Sequence, residues 1–246
     1  MTYLPAIGIS LMFYEPDKRN HGLKFNPFKA LVVPRPIGWI SSIDVDGTPN
    51  LAPYSMFNAV AGDPPCVMFA SSTKSNGSSK DSRHCAEATG EFVVNLATYT
   101  TREPMNRTSE AFPLGINEFA IADLEFVPSI LVKPPRVKSS PVQMECIFIQ
   151  TVEMPRGAMD RNFVTFGRVI GVHIDDGLIV DGRVDICRAR PIARMGYMDY
   201  AVVDDVFEMI APSRQGKAFA AQTPKDVSQG NDEIPTLAVP GGSDRK

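Results

Sequence analysis

Three polar clusters in the first hundred residues carry groups suited to holding a flat, anionic ligand: Ser41-Ser42, the run Asn50-Leu51-Ala52-Pro53-Tyr54-Ser55, and the stretch from Ser71-Ser72 to Arg83. In the third, Ser78-Ser79-Lys80-Asp81-Ser82-Arg83 stands where a helix is expected to begin, so free backbone N–H groups, hydroxyls and two cations converge at one helix N-terminus. Such a place binds phosphate. The alternative is that Ser79 or Asp81 simply caps the helix while Lys80 and Arg83 face water. Trp39 and Ser41 alternate along an apolar run, so an aromatic plate and a hydroxyl share one face. That pair suits a flat polar ring system; for Trp39, packing in a core or dimer interface is the competing role.

Other chemistries find no support. A Walker loop is missing, and no G-x-G-x-x-G opens a helix after a strand, which argues against a doubly wound dinucleotide fold. His21, His84 and His173 have no metal-ligand spacing with cysteine, and no G-x-S-x-G elbow marks a serine hydrolase. Twenty-five Lys and Arg balance 28 Asp and Glu, with no long basic block, so no nucleic-acid partner is expected. With neither a secretory leader nor about 18 consecutive apolar residues, the expectation is a cytoplasmic protein with no membrane partner. Cys66, Cys85, Cys146 and Cys187 are widely spaced and read as buried thiols.

Positioning these clusters falls to short β-branched and apolar runs punctuated by Pro, Gly and Asp, the pattern of a sandwich or barrel. Strands are expected at Ala30–Val33, Ile37–Ile43, Leu51–Phe57, Cys66–Ala70, Phe92–Ala97, Val142–Val152 and Phe163–Ile174. Asp46-Gly47 predicts an antiparallel hairpin between the second and third. Asp176-Gly177 and Asp181-Gly182 signal turns flanking a short strand at Leu178–Val180. Helices are expected over Lys80–Thr89, closed by Gly90, and over Thr101–Ala111. Pro128–Pro141, with four prolines, reads as an extended surface connection. One domain is expected over 1–212, followed by a polar tail, 213–246, without a core of its own.

Longer ordered segments add a resemblance. PRPIGWISSIDVDGTPNLAPYSMFN, DPPCVMFASS and KDSRHCAEATGEFVVNL, followed by EAFPLGINEF, VKPPRVKSSPVQMEC, FGRVIGVHI, DGRVD and PIARMGYMDY, resemble the flavin reductase-like family, in particular its flavoredoxin-like branch. The match runs from about Leu31 to Pro212.

The resemblance implies a mainly β fold, an FMN-binding split β-barrel of Greek-key type with a few short helices. It implies that the FMN ring lies against Trp39, Ser41, Ser42, Asn50, Ala52, Pro53, Tyr54 and Ser55, with the phosphate at Ser71, Ser72, Lys80, Asp81 and Ser82. Asp81, repulsive toward a phosphate, is expected to cap the helix or orient a cation. Relatives are homodimers with flavin near the interface, so a partner's residues around Phe112–Phe119 or Arg194–Tyr200 are expected to complete the site. The activity implied is NAD(P)H:flavin reduction, with NADH or NADPH as donor and free flavin, a monooxygenase or a redox protein as acceptor. The alternative is a flavoredoxin-like carrier that holds FMN without oxidising nicotinamide. Shorter relatives carry Gly-Asp-His where this chain has Met159-Asp160-Arg161-Asn162, which weakens the case for direct nicotinamide oxidation.

Overall fold

The computed structural model describes residues 11–113, 115–157 and 161–210. In chain order the strands are β1 (Arg35–Pro36), β2 (Gly38–Ile43), β3 (Pro49–Tyr54), β4 (Phe57–Gly62), β5 (Pro65–Ser72), β6 (Glu91–Leu96), β7 (Phe126–Val127), β8 (Arg136–Val137), β9 (Val142–Glu153), β10 (Asn162–Ile174), β11 (Ile179–Val180), β12 (Arg183–Val184), β13 (Ile192–Arg194) and β14 (Tyr200–Val202). The α-helices are α1 (Phe28–Leu31), α2 (Asp81–Thr89), α3 (Arg102–Arg107), α4 (Glu118–Ile121) and α5 (Ile186–Ala189). Residues as far as Val206 form one compact unit, and a second begins at Phe207. The expected tail, 213–246, lies outside the described residues.

Seven strands make one sheet in the order β3-β2-β6-β9-β10-β5-β4, with every neighbouring pair antiparallel. Its two end strands, β3 and β4, are joined in sequence by Ser55-Met56 but sit at opposite edges of the hydrogen-bonded order. The sheet curls until β3 packs against β5, with Tyr54 4.9 Å from Phe69 between ring centroids, while the Ala70 N–H donates to the Met56 carbonyl at 2.8 Å and extends the β4–β5 ladder. This is a split barrel, mainly β with a few short helices.

Two apolar cores flank β2. On one side Ile40 packs with Phe69, Ala86, Phe92 and Val94, which brings α2 onto the sheet. On the other, Trp39 packs with Leu51, Met105, Phe119 and Ile192 beneath α3 and α4. Close approach needs Gly167 on β10, because a Cβ there would overlap the Phe92 ring. The expected hairpin forms at Asp46-Gly47, joining β2 to β3 in the register Ser42↔Asn50. Helix α2 ends as expected at Gly90, whose φ of 77° suits its left-handed cap.

Four expectations are corrected. Ala30–Val33 is not a strand: α1 covers Phe28–Leu31, and Leu31 and Val32 are exposed with no sheet edge beside them. The run Leu51–Phe57 divides, because β3 ends at Tyr54 and β4 starts at Phe57, with the barrel's split between them. The second helix spans only Arg102–Arg107. Pro128–Pro141 is only partly a surface connection: Ile130 and Leu131 are exposed, but Val132, Val137 and Ser140 are buried, and β8 pairs with β7.

Part of the proline-rich segment goes inside because three buried polar side chains capture its backbone. Asn95 Oδ1 accepts the Val137 N–H, and Ser41 Oγ donates to the Pro135 carbonyl. Glu145, fully buried on β9, accepts the N–H groups of Ile130, Leu131 and Val132 and contacts His173 Nε2 at 2.6 Å. Burial opposes its charge, but the Ile130 N–H, His173 and the Leu131 N–H outweigh that and hold its carboxyl below the ordinary carboxylate value. The depressed pKa means that Glu145 stabilises the fold above the ordinary value near about 4.3, and that this contribution fades as pH falls through the folded-state pKa. Glu145→Gln is expected to cost about 3 kcal/mol in urea unfolding at neutral pH, and to flatten the acid limb of stability against pH. An unchanged acid limb would contradict this role.

Candidate functional site

The split between β3 and β5 opens into a cleft of about 310 Å³. Ten of the thirteen residues expected to hold a ligand line it: Asn50, Ala52, Pro53 and Tyr54 from β3, Ser55 from the link to β4, Ser71 and Ser72 from β5, and Lys80, Asp81 and Ser82 at the start of α2.

Asn50 fixes this arrangement. Its Nδ2 donates to Ser42 Oγ at 3.2 Å and to Ser82 Oγ at 2.9 Å, so one buried amide joins β2, β3 and the first turn of α2. At that N-terminus Lys80 is the extended cap residue and no side chain caps the helix. The first N–H groups of α2 are thereby left for another acceptor. Ser79 instead receives Arg83 Nε at 2.7 Å, and the Arg83 guanidinium lies 3.7 Å from the centre of the Phe163 ring. That stack pins the loop before α2 against β10.

The electrostatics favour an anion at this end. Asp81 forms a 2.6 Å ion pair with Lys74, so its charge is compensated, whereas Lys80 has no ion-pair partner among the described residues. Ser71 Oγ is buried and has no hydrogen-bond partner among the described residues. An orphaned hydroxyl of this kind costs about 1–3 kcal/mol unless something occupies the cleft to satisfy it. Deeper in, Glu118 accepts the Leu51 N–H at 3.0 Å; burial raises its carboxyl above the ordinary value despite that bond. Burial likewise raises the Tyr54 phenol, which therefore remains a neutral donor at physiological pH.

Trp39, Ser41 and Ser42 do not line the cleft. Trp39 and Ser41 do share a face of β2, but β2 lies inside the sheet between β3 and β6 and that face is covered. Trp39 is fully buried and its Nε1 donates to Thr108 Oγ1 at 2.9 Å; Ser41 is taken up by Asn95 and Pro135, and Ser42 by Asn50. Since Thr108 does line the cleft, Trp39 stands one hydrogen bond behind it.

Lys29, Met56, Ala70, Lys74, Thr108 to Ala111 and Asn162 also line the cleft and were not among the expected ligand-holding residues. Lys74 lay within the third polar cluster and so carried a local signal, whereas Asn162 reaches the cleft through its long-range pairing with Ser72. Phe112 and Glu118, expected from a partner, reach the cleft from the same chain, while Arg194, Met198 and Tyr200 line a different cavity.

Comparison with known proteins agrees with this fold. Residues 30–186, more than half the chain, match the flavin reductase like domain. An uncharacterised protein of Aquifex aeolicus is 38% identical over 167 residues, covering 68% of this chain and 83% of that protein. Among solved structures, nitrilotriacetate monooxygenase component B from Bacillus cereus superposes with a TM-score of 0.75 at 27% identity, over 81% of this chain and 99% of the other. The 2-nitrobenzoate 2-nitroreductase of Pseudomonas fluorescens does so with 0.67 at 26% identity, over 76% and 89%. A split barrel with an anion-ready cleft at its seam and a family match spanning both together make this chain a member of the flavin reductase-like family.

Proposed function

We propose that the chain is an FMN-dependent NAD(P)H:flavin reductase. The observation that carries this reading is the Ser71 hydroxyl and Lys80, both without partners among the described residues, lining one cleft with the uncapped first turn of α2, a donor set suited to the FMN phosphate. Ser72, Asp81 and Ser82 stand beside them, and Asn50, Ala52, Pro53, Tyr54 and Ser55 would hold the ring. Trp39, Ser41 and Ser42 support that wall from behind through Thr108, Asn95 and Asn50. When bound, FMN supplies hydride transfer and one-electron chemistry at its ring. The protein's own groups set the surroundings: the Tyr54 hydroxyl stays a neutral donor, the raised Glu118 carboxyl holds a proton more readily than an exposed one, and Lys74 neutralises Asp81 near the phosphate end.

A donor of hydride would be NADH or NADPH, and the acceptor free flavin or a partner oxygenase. Similarity to a monooxygenase component B supports the oxygenase. A homodimer is part of the same proposal: Ile147, Ile149 and Val152 on β9 and Ile170, Val172 and Ile174 on β10 are exposed apolar side chains along two adjacent strands. Among the described residues no helix is long and apolar enough to cross a membrane; the proposed home is the cytoplasm.

Three measurements test the reading. Lys80→Met is expected to weaken FMN binding by roughly tenfold or more, as the loss of a charge-assisted hydrogen bond requires, while riboflavin, which lacks the phosphate, binds both proteins alike; equal losses for the two flavins would move the phosphate elsewhere. Anaerobic NADH or NADPH should bleach the visible band of the FMN-loaded protein. Bleaching by neither would leave only the electron-carrier alternative. Light scattering should give twice the 26.9 kDa chain mass, and a monomer would remove the dimer from the proposal.

A further inference from the structure

A second cavity, of about 380 Å³, shares no lining residue with the cleft. One wall is a single face of the small sheet: Ile192 pairs with Val202 and Arg194 with Tyr200 in register across β13 and β14. The other comes from Tyr99, Arg102 and Met105 at the start of α3. The two walls are tied together by backbone: the Tyr99 N–H donates to the Arg190 carbonyl and the Ile192 N–H to the Ala97 carbonyl. Met105 and Ile192, both nearly inaccessible, give the cavity an apolar floor.

Two guanidinium groups are set in place over this floor. Arg102 lies 4.1 Å from the centre of the Tyr99 ring with an Nη donating to the Tyr99 carbonyl at 2.6 Å. Arg194 lies 4.6 Å from the Tyr200 ring and donates to its hydroxyl and to the Tyr197 carbonyl. Each is held beside an aromatic ring by a local acceptor, so less entropy remains to be lost when an anion arrives. The single acid in the lining, Glu103, forms a largely exposed 3.5 Å ion pair with Arg102, which solvent screens; Arg194 has no ion pair among the described residues. Arg190, outside the lining, is matched by Asp204.

We propose that this cavity binds an aromatic carboxylate of single-ring size. Its volume is at the small end of ligand pockets, which span roughly 300–1,000 Å³. The ring would rest on Met105, Ile192 and Val202 between the two tyrosines, and the carboxylate would face Arg102 and Arg194. Nothing in this assignment depends on flavin occupying the cleft.

Calorimetry of the full chain with benzoate, with and without FMN, tests it. The expected result is saturable benzoate binding, unaffected by FMN, with benzyl alcohol binding about tenfold more weakly for want of the charge. Arg102→Met and Arg194→Met should each weaken benzoate by about tenfold, and Arg102→Lys, which keeps the charge but not the planar fork, should fall between. Trp39, the chain's only tryptophan, shares an apolar cluster with Met105 and Ile192, so its emission should change on binding and confirm the location. Absence of binding at millimolar benzoate, competition by FMN, unaltered affinity in both methionine variants, or tighter binding of adenosine monophosphate than of benzoate would each overturn the proposal.

Discussion

The cleft exists because one buried amide has two hydroxyls to satisfy. Asn50 sits on an edge strand, where its neighbours alone would not fix how a helix packs across the barrel's seam. By donating to Ser42 on β2 and Ser82 on α2, it sets the first turn of that helix against β3. The arrangement leaves the helix N–H groups, Lys80 and Ser71 with a common opening instead of with each other. Buried polar groups that are satisfied among themselves specify geometry more sharply than apolar contacts do, and here they specify where an unsatisfied set is presented.

The same logic recurs behind the site. Asn95 gathers Trp39, Ser41 and the Val137 N–H, drawing the proline-rich segment onto the sheet. Glu145 captures three successive backbone N–H groups of that segment a few residues earlier. Trp39, anchored in this layer, then donates to Thr108 at the edge of the cleft. A side chain that does not line the cleft is thus hydrogen-bonded to one that does.

How much of this is legible in the sequence depends on the range of the interactions. The hairpin at Asp46-Gly47, helix α2 with its Gly90 stop, and the strands of the large sheet other than β4 follow from turn chemistry and short apolar runs, which are local. The serine-rich helix entrance is legible for the same reason. Trp39 and Ser41 show the limit: alternation gives their shared face, but only the sheet order reveals that β2 is interior and that face covered. The Pro128–Pro141 segment is misleading for a related reason, since prolines describe its backbone while Glu145 and Asn95, distant in sequence or on other strands, decide its burial. Glu118 and Thr108 reach the cleft from short helices whose placement no periodicity encodes.

The most direct test of the account is a crystal structure of the protein grown with FMN. It predicts the ring system in the seam between β3 and β5, with phosphate oxygens hydrogen-bonded to Ser71 Oγ and to the first N–H groups of α2. A flavin bound elsewhere, or one in the seam whose phosphate points away from α2 and leaves Ser71 still without a partner, would contradict it.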